Sequence, residues 1–439
     1  MTAALADPRA ALDQSAGEEM HRWMRDLFPV MRSLTGGGVR ETLGYLQQLL
    51  PGLQTHAVAS GTQALDWRVP DEWNVRQAYI ENEAGERIVD IRNTNLHLLG
   101  YSEPVDTWLT RAELDRHLHS LPDMPDAIPY VTSYYSRHWG FCLTHRQRQA
   151  LPEGRYHAVI DADLKPGLLN YADLVLPGET SREIMFSTYV CHPSMANNEL
   201  SGPVVTAALA RWLMQLEKRR HTYRFVFVPE TIGAIIYLSK HLEHLKRHVA
   251  AGFIMTCMGD ERAWSFMPSR KGGTLADRAA LAVLEQRAPG FKHCSFLDRG
   301  SDERQYCAPG VDLPFVSVMR SRYGDYPEYH TSLDDLSLAT PKGLGDSFAA
   351  MRETIQLIEN NVIYRTVTLG EPQLGKRGLY PSLGNSESHA LVKDMLNILA
   401  YADGGADLIA LAEIIDVPPM RIREIAAPML EAGVLEIAG

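Results

Sequence analysis

Three short segments of the chain contain the residue types that hydrolytic metal sites use. The first holds His192 and Glu199, the second holds Glu230, and the third holds His330. Imidazole and carboxylate are ligands that zinc prefers, and a hydrolytic zinc keeps about three protein ligands and an open position for water. A further carboxylate must take the proton of that water. The two histidines, a nearby acid and Glu230 could supply this set.

Each of these residues also has an ordinary structural explanation. His192 could end a turn, His330 could be a solvated loop histidine, and Glu230 could interact with the dipole of the next helix. All three, however, follow predicted strands of an α/β sheet. Such sheets gather their active sites at the carboxyl ends of the strands, so the shared position favours one site over three unrelated residues.

The elements that position these residues follow from apolar runs and helical periodicity. From about residue 129 onward, short apolar runs alternate with helical stretches, which indicates an α/β fold with a mixed central sheet and helices on both faces. The predicted strands are Tyr156–Ile160, Glu183–Tyr189, Tyr223–Val228, Gly252–Met258 and Pro314–Met319. The predicted helices between them are Gly202–Lys218, Gly233–Leu245 and Thr274–Gln286.

Changes in pattern along the chain predict three domains. We expect the α/β domain to comprise residues 17–65 and 129–365. Residues 66–128 interrupt it with the alternating apolar pattern of a small β-rich insert. Residues 380–439 follow the order of a winged-helix domain, with helices, a helix-turn-helix and a final strand. The predicted helices of this tail are His389–Tyr401, Leu408–Ile415 and Arg421–Ala432.

The charge of the chain limits its partners. A net charge of −11 argues against nucleic acid as the main ligand, because phosphate binding needs clustered Lys and Arg. Residues 386–439 carry nine acids and three bases, the wrong sign for a DNA reader. We therefore expect no nucleic-acid partner. The tail is instead predicted to be a structural or interaction module and a candidate for homo-oligomer formation.

Composition also bears on the compartment of the protein. No stretch approaches the roughly 20 apolar residues that span a bilayer. Residues 1–14 carry two acids and lack the apolar run of a signal peptide. The five cysteines follow neither a disulfide framework nor a zinc-clip spacing. We expect a soluble cytoplasmic protein with no membrane partner.

Taken together, the three segments resemble the zinc aminopeptidases of the bacterial leucyl-aminopeptidase type. In that family a histidine precedes Asp-Asn-x-x-Gly, and Glu-Glu-x-Gly and Tyr-His-Thr-x-x-Asp follow. The chain is most similar to an aminopeptidase-like subfamily often associated with polysaccharide biosynthesis, from about Gly17 to its end, winged helix included. The motifs that carry this resemblance are Arg32-Ser-Leu-Thr-Gly36, Glu72-Trp-Asn74, Asn95-Leu-His97, Thr132-Ser-Tyr-Tyr135, Trp139-Gly-Phe-Cys142, Cys191-His-Pro193, Ser301-Asp-Glu-Arg-Gln-Tyr-Cys307 and Tyr329-His-Thr331.

The chain departs from the family pattern where two metals would be bound. Asn198 stands in place of the bridging aspartate, with Glu199 after it, and Thr231 replaces the second glutamate of Glu-Glu-x-Gly. The Asp-Met-x-Gly segment has become Thr256-Cys-Met-Gly-Asp260. These changes leave too few ligands for two zinc ions.

The resemblance therefore implies one zinc per chain. His192 and His330 are the expected ligands, and Glu199 or Asp260 is the expected acid. Asn198 and Cys257 remain alternatives for completing the site, since thiolate is also a good zinc ligand.

The resulting functional hypothesis is a zinc-dependent amide or peptide hydrolase. Glu230 would deprotonate the water and hand the proton to the leaving amine. By resemblance Asp302 and Arg304 lie beside the pocket, and we expect them to bind an amino group and a carboxylate of the substrate. The substrate is a small-molecule or peptide-like amide. Peptides, N-acyl sugars, aminoacyl conjugates and an N-terminal glutamine all stay open.

A second hypothesis comes from the altered ligands. Catalysis could be lost, leaving a scaffold or binding protein that acts through the winged-helix tail. Retention of His192, Glu230 and His330 favours the enzyme, because a scaffold has no need of all three. Transcriptional regulation through the tail is the weakest hypothesis because of the acidic charge of that tail.

Overall fold

The computed structural model describes residues 8–380 and 386–438. Residues 1–7, on which part of the signal-peptide prediction rests, lie outside this range, as do 381–385 and Gly439 of the predicted tail. The helices, α1 to α12 in chain order, are Pro8–Leu27, Gly37–Leu49, Arg111–Leu114, His145–Ala150, Ser201–Met214, Ile232–His248, Leu275–Arg287, Glu303–Tyr306, Pro341–Glu359, Ser386–Tyr401, Leu408–Ile415 and Pro419–Glu431.

The strands belong to one large sheet and several small ones. In chain order, β1 to β19 are Gln54–Ala59, Gln63–Ala64, Trp67–Arg68, Glu72–Asn82, Arg87–Asp90, Val105–Thr110, Leu118–His119, Phe141–Cys142, Arg155–Lys165, Leu168–Leu176, Glu183–Tyr189, Thr222–Val228, Val249–Ile254, Ser265–Met267, Lys292–His293, Phe315–Met319, Ile363–Thr366, Asp403–Asp407 and Leu435–Ile437.

The large sheet is mixed and has the order β1-β10-β12-β11-β13-β16-β14-β15. Its centre, from β12 through β11 and β13 to β16, is parallel, and β10 and β14 flank this centre in antiparallel orientation. Every residue of β11 is buried, as expected for a strand covered on both faces. The predicted mixed α/β sheet is confirmed.

The connections of the parallel strands create a crevice at one edge of the sheet. From β11 the chain runs through α5 to β12 on one side, and from β13 it continues to β16 on the other. Connections that leave neighbouring strands in opposite directions open a crevice at the carboxyl ends of those strands. The segment that begins with Cys191 and His192 follows β11, and Cys257 follows β13.

A separate antiparallel sheet has the order β5-β4-β9-β6. The prediction that Tyr156–Ile160 forms a strand of the main sheet is wrong. This run lies inside β9, which pairs with β4 and with β6. An apolar run reveals that a strand is buried but does not reveal its pairing partner, so the run was assigned to the wrong sheet.

The described residues divide into two compact units. One contains the large sheet and the small antiparallel sheet, and the other contains the winged helix with residues 277–290 and 350–380. In the winged helix, α10 to α12 accompany a three-stranded sheet with the order β18-β17-β19. Its strand β17 lies ahead of residue 380, where the sequence predicted the domain to begin. Over the described ranges, no helix is long and apolar enough to cross a membrane.

Candidate active site

The three predicted segments meet at the carboxyl ends of the parallel strands. His192 follows β11, Glu230 follows β12, and His330 lies in the loop after β16. His192 Nε2 lies 3.6 Å from Glu230 Oε2, and the ring centroids of the two histidines are 5.5 Å apart. The structure therefore brings these three residues into one group.

Contacts to Nδ1 and to the backbone carbonyl of His192 fix the orientation of its ring. Its Nδ1 lies 2.8 Å from Glu199 Oε2, and an ionised carboxylate can only accept, so Nδ1–H donates. The backbone carbonyl of His192 accepts a hydrogen bond of 2.9 Å from Arg32 Nε. Burial opposes a charge on the ring, whereas the Glu199 carboxylate raises the pKa of His192 above its usual range. Nε2 is left to face Glu230.

Glu199 lies on a single π-helical turn, Ala196–Leu200, that leads into α5. Asp334 holds this turn, because its carboxylate accepts hydrogen bonds from the backbone N–H groups of Asn197 at 2.6 Å and Asn198 at 2.9 Å. Such turns occur frequently at functional sites, because they redirect side chains. Within the described part of the chain, the buried Oδ1 of Asn198 has no hydrogen-bond partner.

Glu230 stands at the start of a strained turn. Thr231 has φ 63° and ψ −75°, and Ile232 N–H donates to the Glu230 carbonyl at 2.8 Å. These values describe the rarer, positive-φ form of the γ-turn, which is unfavourable for a β-branched residue. The Glu230 carboxylate accepts a hydrogen bond of 3.2 Å from Ser301 Oγ. Burial raises the pKa of Glu230.

Strained backbone positions recur after the parallel strands. Of the eight non-glycine residues with positive φ in the described chain, four lie in the segments after parallel strands of the large sheet, namely Ser194, Thr231, Cys257 and His330. Strain of this kind costs on the order of 1–3 kcal/mol at each position and clusters at functional sites.

Asp302 and Arg304 both contact the turn at Thr231, but in different ways. Asp302 is 1% exposed, and its Oδ1 accepts the Thr231 N–H at 2.7 Å. Burial and the neighbouring Glu230 raise the pKa of Asp302 well above its usual range. Arg304 is exposed, and its Nη2 donates to Thr231 Oγ1 at 3.1 Å. Arg304 therefore faces solvent, while Asp302 lies beneath the turn.

Asp260 is engaged elsewhere. Its two carboxylate oxygens accept hydrogen bonds from Ser321 N at 2.9 Å, Ser321 Oγ at 2.9 Å, Arg262 N at 2.9 Å and Asn197 Nδ2 at 3.1 Å. The carboxylate thus joins the loops that follow β13 and β16. The structure does not bring Asp260 into the group around His192.

The sequence analysis missed Cys191 as a chemical group. Among the described residues, Cys191, His192 and Glu199 form a buried set of potential metal donors that all lie within 4.8 Å of one another. Cys191 Sγ is 3.4 Å from the same His192 Nδ1 that Glu199 contacts. In a nucleophilic triad the nucleophile and the carboxylate contact different ring nitrogens, so these three residues are not arranged as a triad. Burial raises the pKa of Cys191 to about 11, so this thiol is protonated at neutral pH.

Tyr130 and Tyr134 were also missed as members of the site. The Tyr130 ring centroid lies 5.1 Å from the ring centroids of both His192 and His330, and its hydroxyl lies 2.6 Å from that of Tyr134. Burial raises the pKa of both tyrosines well above the usual range. The Thr132–Tyr135 motif was the available sequence evidence for Tyr134, whereas Tyr130 lies ahead of that motif.

A cleft of about 290 Å³ opens at this group. Its lining combines apolar and aromatic side chains with His192, Glu230 and Arg304. The lining residues are Leu34, Trp67, Tyr134, Tyr135, Cys191, His192, Glu230, Thr231, Ile232, Arg304 and Gln305.

With the geometry established, comparison with known proteins places the chain. Residues 21–361 match the model of a family described as a domain of unknown function, DUF4910. The chain belongs to the DUF4910 family. Residues 362–437 of this DUF4910 member match a winged helix-turn-helix family. A Clostridium acetobutylicum protein, described as a candidate polysaccharide biosynthesis protein with an aminopeptidase-like domain, is 40% identical over 398 residues, covering 90% of this chain and 91% of the relative.

Solved structures identify the fold. A crystal structure of a candidate peptidase from Clostridium acetobutylicum matches with a TM-score of 0.92 and 37% identity, covering 98% of each chain. A zinc aminopeptidase from Bacillus subtilis matches with a TM-score of 0.53 and 12% identity, covering 77% of this chain and 94% of the other. The predicted aminopeptidase-like fold with a C-terminal winged helix is confirmed.

Proposed function

We propose that this DUF4910 member hydrolyses amide or peptide bonds with the help of one zinc ion. The observation that carries the proposal is the environment of His192 Nε2, which faces Glu230 Oε2 at 3.6 Å. The His330 ring lies on the same group, 5.5 Å from the His192 ring between centroids. Imidazoles beside a carboxylate at the carboxyl ends of parallel strands are what a metal-assisted hydrolase requires.

The chemistry of the donors fits a single ion on the Nε2 face of His192. His192 and His330 would hold it, and the unpartnered Oδ1 of Asn198 is a further oxygen donor. Glu199 would support His192 through Nδ1, the usual role of a carboxylate behind a metal-binding histidine. The Nδ1 face is less suitable, because the buried Arg32 guanidinium lies 3.9 Å from Glu199 and would repel a cation.

A zinc ion held there would supply electrophilic assistance to the amide carbonyl and would lower the pKa of a water bound to it. Glu230 takes the proton of the attacking water and delivers it to the leaving nitrogen. The hydrogen bond from Ser301 Oγ fixes the Glu230 carboxylate, and burial raises its pKa toward the range of an effective base. Tyr134 and Ile232 line the same cleft as this carboxylate.

The test is the Glu230→Gln variant of the zinc-loaded protein. A panel of amides first identifies a compound that the wild type cleaves. Glu230→Gln should keep its zinc, measured by elemental analysis, and lose on the order of 10²–10⁴-fold in kcat, since it lacks the base. Glu261→Gln, which removes an exposed carboxylate outside the cleft, is the matched control and should retain wild-type kcat. Wild-type turnover by Glu230→Gln would refute the assignment of the base.

A further inference from the structure

The cleft offers a substrate three kinds of surface. One is apolar, and it includes Trp67, which is 39% exposed, and Tyr135, which is 58% exposed. These two rings meet edge to face with centroids 5.7 Å apart. Large exposed aromatic side chains grouped at a cleft indicate an apolar ligand group. The other two surfaces are the carboxylate of Glu230 and the guanidinium of Arg304.

The guanidinium of Arg304 is held in place while it faces solvent. Its Nε donates to the Ser301 carbonyl at 3.0 Å, and its Nη2 donates to Thr231 Oγ1 at 3.1 Å. Within the described residues Nη1 makes no hydrogen bond. A positioned guanidinium of this kind loses little side-chain entropy on binding and suits a carboxylate of the ligand.

The cleft lacks a comparable group for a free amine. Glu230 is the only acid among the lining residues of the described chain, and an ammonium group paired with it would block its work as a base. Asp302, which the sequence suggested for this contact, does not line the cleft, and it is 1% exposed. Its Oδ1 already accepts the Thr231 N–H. The charged groups available to a substrate therefore favour an anion.

We infer that the substrate is an N-acylated amino acid, with an apolar acyl group on the aromatic surface of the cleft and a free carboxylate on Arg304. This inference rests on the proposed function and names its substrate class. A cleft of about 290 Å³ lies at the lower end of the range for small-molecule sites. The size of the cleft therefore fits a single acylated residue better than a long peptide.

Three compounds of similar size test the inference. N-benzoyl-L-alanine has the acyl group and the carboxylate, N-benzoyl-L-alaninamide lacks the carboxylate, and L-phenylalanyl-L-alanine carries a free amine. Their binding to the full chain is measured by isothermal titration calorimetry, on chelator-treated wild type to prevent turnover and on the zinc-loaded Glu230→Gln variant. N-benzoyl-L-alanine should bind at least about ten-fold more tightly than the amide, because only the acid offers Arg304 a charged hydrogen bond. It should also bind more tightly than the dipeptide, which has the same carboxylate, because no acid other than Glu230 lines the described cleft to pair with the free amine.

Variants of Arg304, with Arg299 as the control, show whether this guanidinium causes the preference for the acid. Arg304→Ala should weaken the binding of N-benzoyl-L-alanine about ten-fold or more and should change the affinity for the amide less than about two-fold. Arg304→Lys should recover part of the loss, because it restores the charge without the planar fork. Arg299→Ala, which removes an exposed arginine from the segment ahead of α8 and outside the cleft, should match the wild type.

The outcomes separate the inference from the proposed function. The inference is overturned if L-phenylalanyl-L-alanine binds as tightly as N-benzoyl-L-alanine or more tightly. It is also overturned if Arg304→Ala weakens the binding of the acid and of the amide equally. If the zinc-loaded wild type cleaves none of the amides but still binds the acid in preference through Arg304, the proposed hydrolase function is wrong and the inferred ligand class is supported. If it cleaves amides without regard to the carboxylate, the hydrolase stands and the ligand class fails.

Discussion

Replacing Asp302 by alanine removes the acceptor that holds the strained turn after Glu230. The Thr231 N–H donates to Asp302 Oδ1 at 2.7 Å in the wild type. Leaving a largely buried N–H without a partner costs about 1–3 kcal/mol, and the positive φ of Thr231 adds strain that the hydrogen bond now offsets. We expect Asp302→Ala to lower the free energy of unfolding by about 2 kcal/mol and to lower kcat, because Glu230 is displaced.

Asp302→Asn separates this positioning role from direct substrate binding. Burial and Glu230 raise the pKa of Asp302 well above its usual range, which favours the uncharged form of this carboxyl. An asparagine oxygen can accept the same N–H and carries no charge. We expect Asp302→Asn to change the free energy of unfolding by less than about 1 kcal/mol and to leave KM unchanged. If Asp302 bound a substrate amine, Asp302→Asn would instead raise KM.

Urea denaturation followed by circular dichroism measures the stability change, and steady-state kinetics measures kcat and KM. A double-mutant cycle with Thr231→Gly tests the link to the turn, since glycine relieves the strain at positive φ. The decrease in the free energy of unfolding caused by Asp302→Ala should be smaller in the Thr231→Gly background. Wild-type unfolding and wild-type kcat in Asp302→Ala would refute the reasoning, as would additive effects of the two changes.

Two further predictions concern the metal and the tail. After zinc loading and removal of excess metal, elemental analysis should give a ratio near one zinc per chain, because Asn198 and Thr231 stand where two-metal relatives have carboxylates. A reproducible ratio near two would contradict this. Residues 386–439 should not bind DNA in gel shifts at low salt, because nine acids face three bases and one of these, Arg421, already pairs with Glu424 at 3.2 Å. Tight and salt-sensitive binding by the isolated segment would contradict that prediction.

The sequence was sufficient for the parts of the fold that depend on local pattern. The helices α5 and α6 and the strands around them follow from periodicity, and so do the three helices and the last strand of the winged helix. The strands β17 and β18 were not predicted. The pairing of β9 could not be predicted, because its apolar run has the same composition as a strand of the large sheet. Pairing depends on residues distant in the chain, and composition does not encode it.

The site was predictable to a similar degree. His192, Glu230 and His330 could be found, since each follows a predicted strand and is of a residue type that a metal site or a general base needs. The burial of Asp302 could not, because a polar motif gives no sign of which side chains face inward. The γ-turn at Thr231 could not either, since positive φ is normally marked by glycine and here no glycine occupies the position.

The order of the strands along the chain has a consequence for folding during synthesis on the ribosome. The segment from β11 through α5 and β12 to α6 and β13 is continuous, so its core strands can pair soon after they are synthesised. Asp302, Arg304 and His330 arrive only with the later segments that include α8 and follow β16. Because domains acquire structure as they emerge, the nascent chain holds Glu230 and His192 without the residues that complete their site. The proposed site would therefore be completed only late in synthesis, after most of the large sheet has formed.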